Sequence, residues 1–162
     1  MSRSISIRDI DPASLGPNSP LLELMRRKPR RDLEHQEQVK LFEWAAENEA
    51  KYPELHWMFA VPNFAGRLGR KTARHGARLK AEGRKPGVLD VWLPVKRGRY
   101  PGIVIEMKIG NNRPTAEQKE WIEHLWSQGW VVLVAYDANA AIQNLIAYLA
   151  GNPLASGENR NV

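Results

Sequence analysis

Asp90, Glu106 and Lys108 are the residues whose types and spacing can do chemistry together. Asp90 stands in the apolar run Val88-Leu89-Asp90-Val91-Trp92-Leu93, where a carboxylate is costly unless it is paired or holds a cation. In Ile103-Val104-Ile105-Glu106-Met107-Lys108-Ile109, strand alternation sends Glu106 and Lys108 to one face and Ile103, Ile105, Met107 and Ile109 to the other. If the two strands are antiparallel neighbours, Asp90 lies beside Glu106. Two adjacent carboxylates repel, and a hard divalent cation relieves that repulsion. Mg²⁺ takes one or two carboxylates and fills its octahedron with water and phosphate oxygen. The ion makes bound water easier to deprotonate and offsets charge on a phosphate in flight. Lys108 can orient the attacking water or neutralise the pentavalent state. That chemistry is metal-assisted phosphodiester hydrolysis. Read singly, Asp90 is equally a strand-end acid reaching solvent or an arginine, and Glu106 with Lys108 a self-paired couple on an edge strand.

Glu34 is a fourth candidate, with Gln38 one helical turn on. It can complete a metal shell or simply favour the helix dipole, and Glu37 is as eligible as the working acid. Gln118 reads as the partner of Thr115 in a capping box. His35, His56, His75 and His124 form no metal-ligand spacing, and the six Trp read mostly as core. The chain contains neither a Gly-rich phosphate loop nor a Ser/His/Asp arrangement.

The elements that must position these residues follow from periodicity and punctuation. Residues 1–31 carry Pro12, Pro17, Pro20 and Pro29 and the basic run Arg26-Arg27-Lys28-Pro29-Arg30-Arg31, and read as a flexible basic arm. A helix is expected from Asp32 to about Lys51, on Val39, Leu41, Phe42, Trp44, Ala45 and Ala46. Trp57 to Val61 reads as a short strand stopped by Pro62-Asn63. Residues 68–82 read as a basic helix, with Arg67, Arg70, Lys71, Arg74 and Arg78 recurring at spacings of three and four. Val88–Val95 and Gly102–Ile109 read as a hairpin. Thr115 opens a helix that Gly129 ends, Trp130–Tyr136 is a buried strand, and Asp137 caps a last helix over Ala138–Ala150. The domain is thus expected over 32–151, with a tail at 152–162. The order predicts an α/β fold, a mixed central sheet flanked by helices.

With 162 residues the chain suits one domain, and without cysteine it holds neither disulfides nor a thiolate metal site. No run of about 18 apolar residues is present, and Met1–Asp11 lacks an apolar core, so a cytoplasmic location without membrane contact is expected. The net charge is +6, unevenly spread. Segment 62–89 holds eight Lys/Arg against one Glu, while 34–61 holds six Glu against two Lys. One basic block suggests a polyanion footprint. Its candidate phosphate contacts are Arg67, Arg70, Lys71, Arg74, Arg78 and Lys85.

Several linked segments together resemble the virus-type replication–repair nuclease (VRR-NUC) domain of the PD-(D/E)xK nuclease superfamily. Glu34-His35-Gln36-Glu37-Gln38 with Leu41-Phe42-Glu43-Trp44-Ala45 resembles its first helix. Val61-Pro62-Asn63 and the basic helix resemble its second segment. Lys80 to Asp90 resembles its Gly-x-Pro-Asp motif, Tyr100 to Lys108 its Glu-x-Lys strand, and Thr115–Gln118 with Gln128-Gly129 its closing helix. Leu89 departs from the pattern, since the family usually has proline before the acid; proline would fix the backbone there but supplies no ligand. The resemblance implies a restriction-endonuclease-like fold. It further implies Asp90, Glu106 and Glu34 as metal ligands, Lys108 as the group assisting water, and Gln118 near the site in competition with its capping role. It implies Mg²⁺ or Mn²⁺ as cofactor and DNA as substrate, including flaps and junctions. The family's single-domain members are phage and bacterial proteins, some of them homodimers, so a phage-infected or bacterial cytoplasm is expected. A non-catalytic DNA-binding module on the same fold and an RNA-directed nuclease are the alternatives.

Overall fold

The computed structural model describes residues 30–62, 78 and 80–152, with a few positions between 11 and 19. By internal contacts the chain divides into Met1–Leu33 and Glu34–Val162, and the site lies in the second unit. The expectations for the arm and the tail, and for most of the basic helix, lie outside the described residues.

Helix α1 runs Arg30–Asn48 and a 3-10 helix Pro53–Trp57. Strands β1 (Phe59–Ala60), β2 (Val91–Leu93) and β3 (Ile103–Met107) follow, then α2 (Ala116–Ser127), β4 (Val131–Ala135) and α3 (Ala138–Leu149). One sheet has the order β1-β2-β3-β4. Its first two pairings are antiparallel, and β3 with β4 is parallel across the α2 connection. The expected strand at 57–61 is shorter, because Pro53, suited to a first helical position, starts a 3-10 turn that consumes Trp57.

Each face of the sheet is covered. Val91, Leu93, Ile103, Ile105, Met107, Leu133 and Ala135 pack with Leu41 and Ala45 of α1 and with Ala141, Leu145 and Tyr148 of α3. Leu89, Val104 and Val132 pack with Ile122 and Leu125 of α2. The wide apolar stripe expected of α1 narrows to Leu41 and Ala45, with Phe42 and Trp44 half-buried and Val39 and Ala46 exposed. Five of the six tryptophans, Trp44, Trp92, Trp121, Trp126 and Trp130, pack half-buried against the core as expected, whereas Trp57 is 64% exposed.

The loop after β2 is tied to α3 at several points. Arg97 donates to the Leu149 carbonyl at 3.0 Å and pairs with Glu54, while the Tyr148 hydroxyl donates to the Val95 carbonyl at 2.6 Å. These bonds fix the hairpin whose far end holds the site.

Candidate active site

β3 is a central strand covered on both sides, not an edge strand, so all five of its residues are buried. Glu106 therefore has no exposed surface, and Lys108, just beyond the strand, is 8% exposed. Lys108 Nζ donates to Glu106 Oε1 at 2.6 Å. The couple is self-paired, but out of water rather than in it.

Asp90 lies one residue ahead of β2 rather than inside it. The register pairs Val91 with Ile105, and one step further it sets Asp90 opposite Glu106. Asp90 Oδ2 accepts the Met107 N–H at 3.0 Å, and the Asp90 carbonyl accepts the Val61 N–H at 2.8 Å. Backbone from both neighbouring chain segments thus fixes the acid. The family's proline position is filled by Leu89, fully buried in the α2-side core.

Gln118 does two things at once. Its Oε1 accepts the Thr115 N–H at 2.9 Å and Thr115 Oγ1 accepts the Gln118 N–H at 3.3 Å, which completes the capping box. Its Nε2 donates to Glu106 Oε1. The two roles expected to compete are filled by opposite ends of one amide.

Oε1 of Glu106 is thus taken twice, while Oε2 is buried without a hydrogen-bond partner. Burial, reinforced by the charge of Asp90, pushes the Glu106 pKa up to about 8; Lys108 pulls the other way, and Glu34 adds a smaller push upward. An unpartnered buried carboxylate oxygen, in a group that feels the charge of a second carboxylate, is a donor set that suits a hard cation. Among the described residues no three acid or imidazole side chains gather into a complete metal cage. Two carboxylates suffice for Mg²⁺, which keeps several of its waters. The residues present fit that ion.

The acids of α1 separate. Glu34 Oε1 accepts from Asn112 Nδ2 at 3.0 Å, in the loop after β3. Glu37 Oε2 accepts the Ala138 N–H at 2.8 Å at the start of α3, and Lys40 bonds its other oxygen. The Lys40 bond, then the Ala138 N–H, holds the Glu37 carboxyl below its ordinary range. Glu34 is the α1 acid whose charge reaches the centre; Glu37 ties α1 to α3. Sequence reasoning passed over Asn112, whose only signal is a polar pair, Asn111-Asn112, directly after the acidic strand.

Of the candidate phosphate contacts, Arg67, Arg70, Lys71 and Arg74 lie outside the described residues. Arg78 is exposed and bonded to Glu82 at 2.8 Å, one turn on, and Lys85 is exposed. His56 contacts Glu49, and His35 and His124 are exposed. No described helix is long and apolar enough to cross a membrane.

The sequence matches no protein-family model and, at significant similarity, no curated protein. A solved structure described as a VRR_NUC domain protein aligns with a TM-score of 0.60 and 28% identity, covering 73% of this chain and 88% of its own. That likeness supports a VRR-NUC domain, a nuclease-type domain, on the restriction-endonuclease-like fold that the mixed sheet and its helices form.

Proposed function

We propose that this chain is a divalent-metal-dependent DNA endonuclease that hydrolyses phosphodiester bonds in branched DNA, such as flaps and junctions. The observation that carries the reading is the opposed pair Asp90 and Glu106, with one Glu106 oxygen buried and unpartnered while Lys108 and Gln118 hold the other. Asp90 and Glu106 would hold Mg²⁺ or Mn²⁺. Bound there, the ion supplies Lewis acidity and a water that ionises near neutral pH. Lys108 brings a cation to the same carboxylate and would offset charge growing on the phosphate. Glu34, held by Asn112 and outside the pair, would act on the ion's water shell. Gln118 fixes Glu106 and is a positioning residue. The basic segment 62–89 supports a polyanionic substrate. Branched DNA and a homodimer come from the family likeness: a two-fold dimer presents two centres to a two-fold junction.

The test is cleavage of labelled linear duplex, flap and four-way-junction DNA in Mg²⁺, Mn²⁺ or EDTA. Asp90→Asn and Glu106→Gln should each abolish cutting and keep binding. Undiminished cutting by both variants, or cutting in EDTA, would sink the reading. Tight binding by the wild type with no cutting of any DNA would support the non-catalytic module instead, and competition with RNA decides between the nucleic acids.

A further inference from the structure

Among the described residues, Trp57 and Phe59 are exposed by 64% and 47%, and they flank the buried Met58. Phe59 begins β1, the outer strand of the sheet. Its antiparallel partner is Trp92, and Trp92 in turn pairs with Val104. Residues directly opposite one another share a sheet face, and so do residues two apart along a strand. Phe59, Trp92 and Val104 therefore form one row on the α2 face. Val61, Asp90 and Glu106 form the next, since the Val61 N–H bonds the Asp90 carbonyl. Phe59 thus lies one strand across from Asp90 and about 7 Å along the strand direction from the acid row, which is about two base steps of duplex rise.

Charge selects the occupant. From β1 the chain runs directly into segment 62–89, with eight Lys/Arg against one Glu. The Arg84 guanidinium, from the far end of that segment, donates to the Pro62 carbonyl at 3.0 Å, which brings a cation back beside β1. A second copy of this chain would bring the same basic block against itself. β1 is also only two residues long, too short an edge for strand pairing. Aromatic rings beside cations are what unpaired bases use: each base offers a ring face, and stacking tolerates any sequence.

We infer that Trp57 and Phe59 form a stacking platform for unpaired bases, so that the domain takes DNA in which a duplex gives way to a single strand next to the Asp90–Glu106 centre. The inference rests on the nuclease reading for where the cut falls, not for the binding. The platform selects the substrate; the carboxylates act on the phosphate beside it.

The test is binding by the full chain in EDTA, read by anisotropy. Three labelled DNAs are compared: a blunt duplex, the same duplex with a short single-stranded extension, and one whose extension is abasic. Wild type should favour the extension that carries bases. The Trp57→Ala/Phe59→Ala double variant should lose about 5- to 150-fold on that DNA, the worth of one base–aromatic stack, and stay within about twofold on the blunt duplex. Phe59→Tyr should retain the preference. The natural extension should quench tryptophan emission in wild type and not in Trp57→Phe. Because both side chains are exposed, thermal melts should be unmoved. Equal losses on blunt and extended DNA, equal binding of abasic and natural extensions, or a change of sedimentation in the double variant would overturn the platform. If wild type keeps the base preference yet cuts no DNA, the nuclease reading fails and the platform stands.

Discussion

Glu106 is a carboxylate that the metal-free protein prefers to keep protonated, and this has a sign that can be measured. Its pKa in the folded chain is about 8, against an ordinary value of 4.5, chiefly because it is buried. A group whose folded pKa is raised contributes stability that is fully present below about pH 4.5 and is lost as pH climbs toward about 8. In EDTA the domain should therefore lose up to a few kcal/mol between pH 5 and 8. Glu106→Gln, which mimics the protonated acid, should flatten that loss. Mg²⁺ should stabilise wild type more at pH 8 than at pH 6, because a bound cation needs the ionised form. Parallel wild-type and Glu106→Gln curves in urea titrations across that range would mean that Glu106 ionises as an ordinary surface acid. A second expectation concerns Gln118. Gln118→Leu removes the Nε2 bond to Glu106 together with the N-cap acceptor. Activity should fall about 10- to 100-fold, as for loss of a residue that orients a metal ligand. Stability should drop by about 1 kcal/mol, the worth of a cap. Gln118→Glu should restore the cap but not the bond to Glu106, so a full recovery of activity by Gln118→Glu would refute the positioning role.

At the scale of elements, the site depends on how closely the Pro86-Gly87 turn sits on α2. Gly87 has φ +75°, and a Cβ there would lie 2.5 Å from the Glu117 carbonyl carbon. Trp121 Nε1 reaches the Pro86 carbonyl at 3.0 Å in the same contact. Gly87→Ala is expected to cost about 2–4 kcal/mol, from the left-handed backbone and the clash together. It should also depress cleavage beyond what the stability loss explains, because Asp90 lies three residues on. Equal urea midpoints for Gly87→Ala and wild type would show that the turn is not pressed on the helix. Legibility in the sequence divides along the same lines. The Glu106–Lys108 face, the hairpin, the Thr115 cap and the Asp137 cap are local patterns of period two or spacing three, and each was readable from neighbours in the chain. The burial of Glu106 was not, because it follows from parallel pairing with β4 across a whole helix. The Glu34–Asn112 bond spans 78 positions, and no local pattern marks it. Trp57 misled for a related reason: apolar composition favours burial, but only the tertiary arrangement decides that Trp57 ends a 3-10 turn and stays exposed.

For the whole molecule, the separation of charge along the chain sets how DNA would approach. Segment 34–61 is acidic and holds Glu34; segment 62–89 is basic and ends with the turn into Asp90. The cations would gather phosphates, while the acids would repel them wherever no metal intervenes. In EDTA, log K for a blunt duplex should fall with log salt at a slope of about −5 if Arg67, Arg70, Lys71, Arg74, Arg78 and Lys85 each displace one counterion. The Arg78–Glu82 pair does not remove Arg78 from this set, because an exposed ion pair is weak and screened. Replacing Arg78 and Lys85 by Ala should bring the slope to about −4. Above pH 8, where Glu106 is ionised, the Asp90→Asn/Glu106→Gln double variant should leave the slope unchanged and raise K, since it removes repulsion without removing a counterion-releasing contact. The two perturbations therefore separate the surface that gathers DNA from the centre that would cut it. A slope unmoved by the Arg78 and Lys85 substitutions would place the DNA on a different face of the molecule, and a K unmoved by the carboxylate variant would place the bound phosphates away from Asp90 and Glu106.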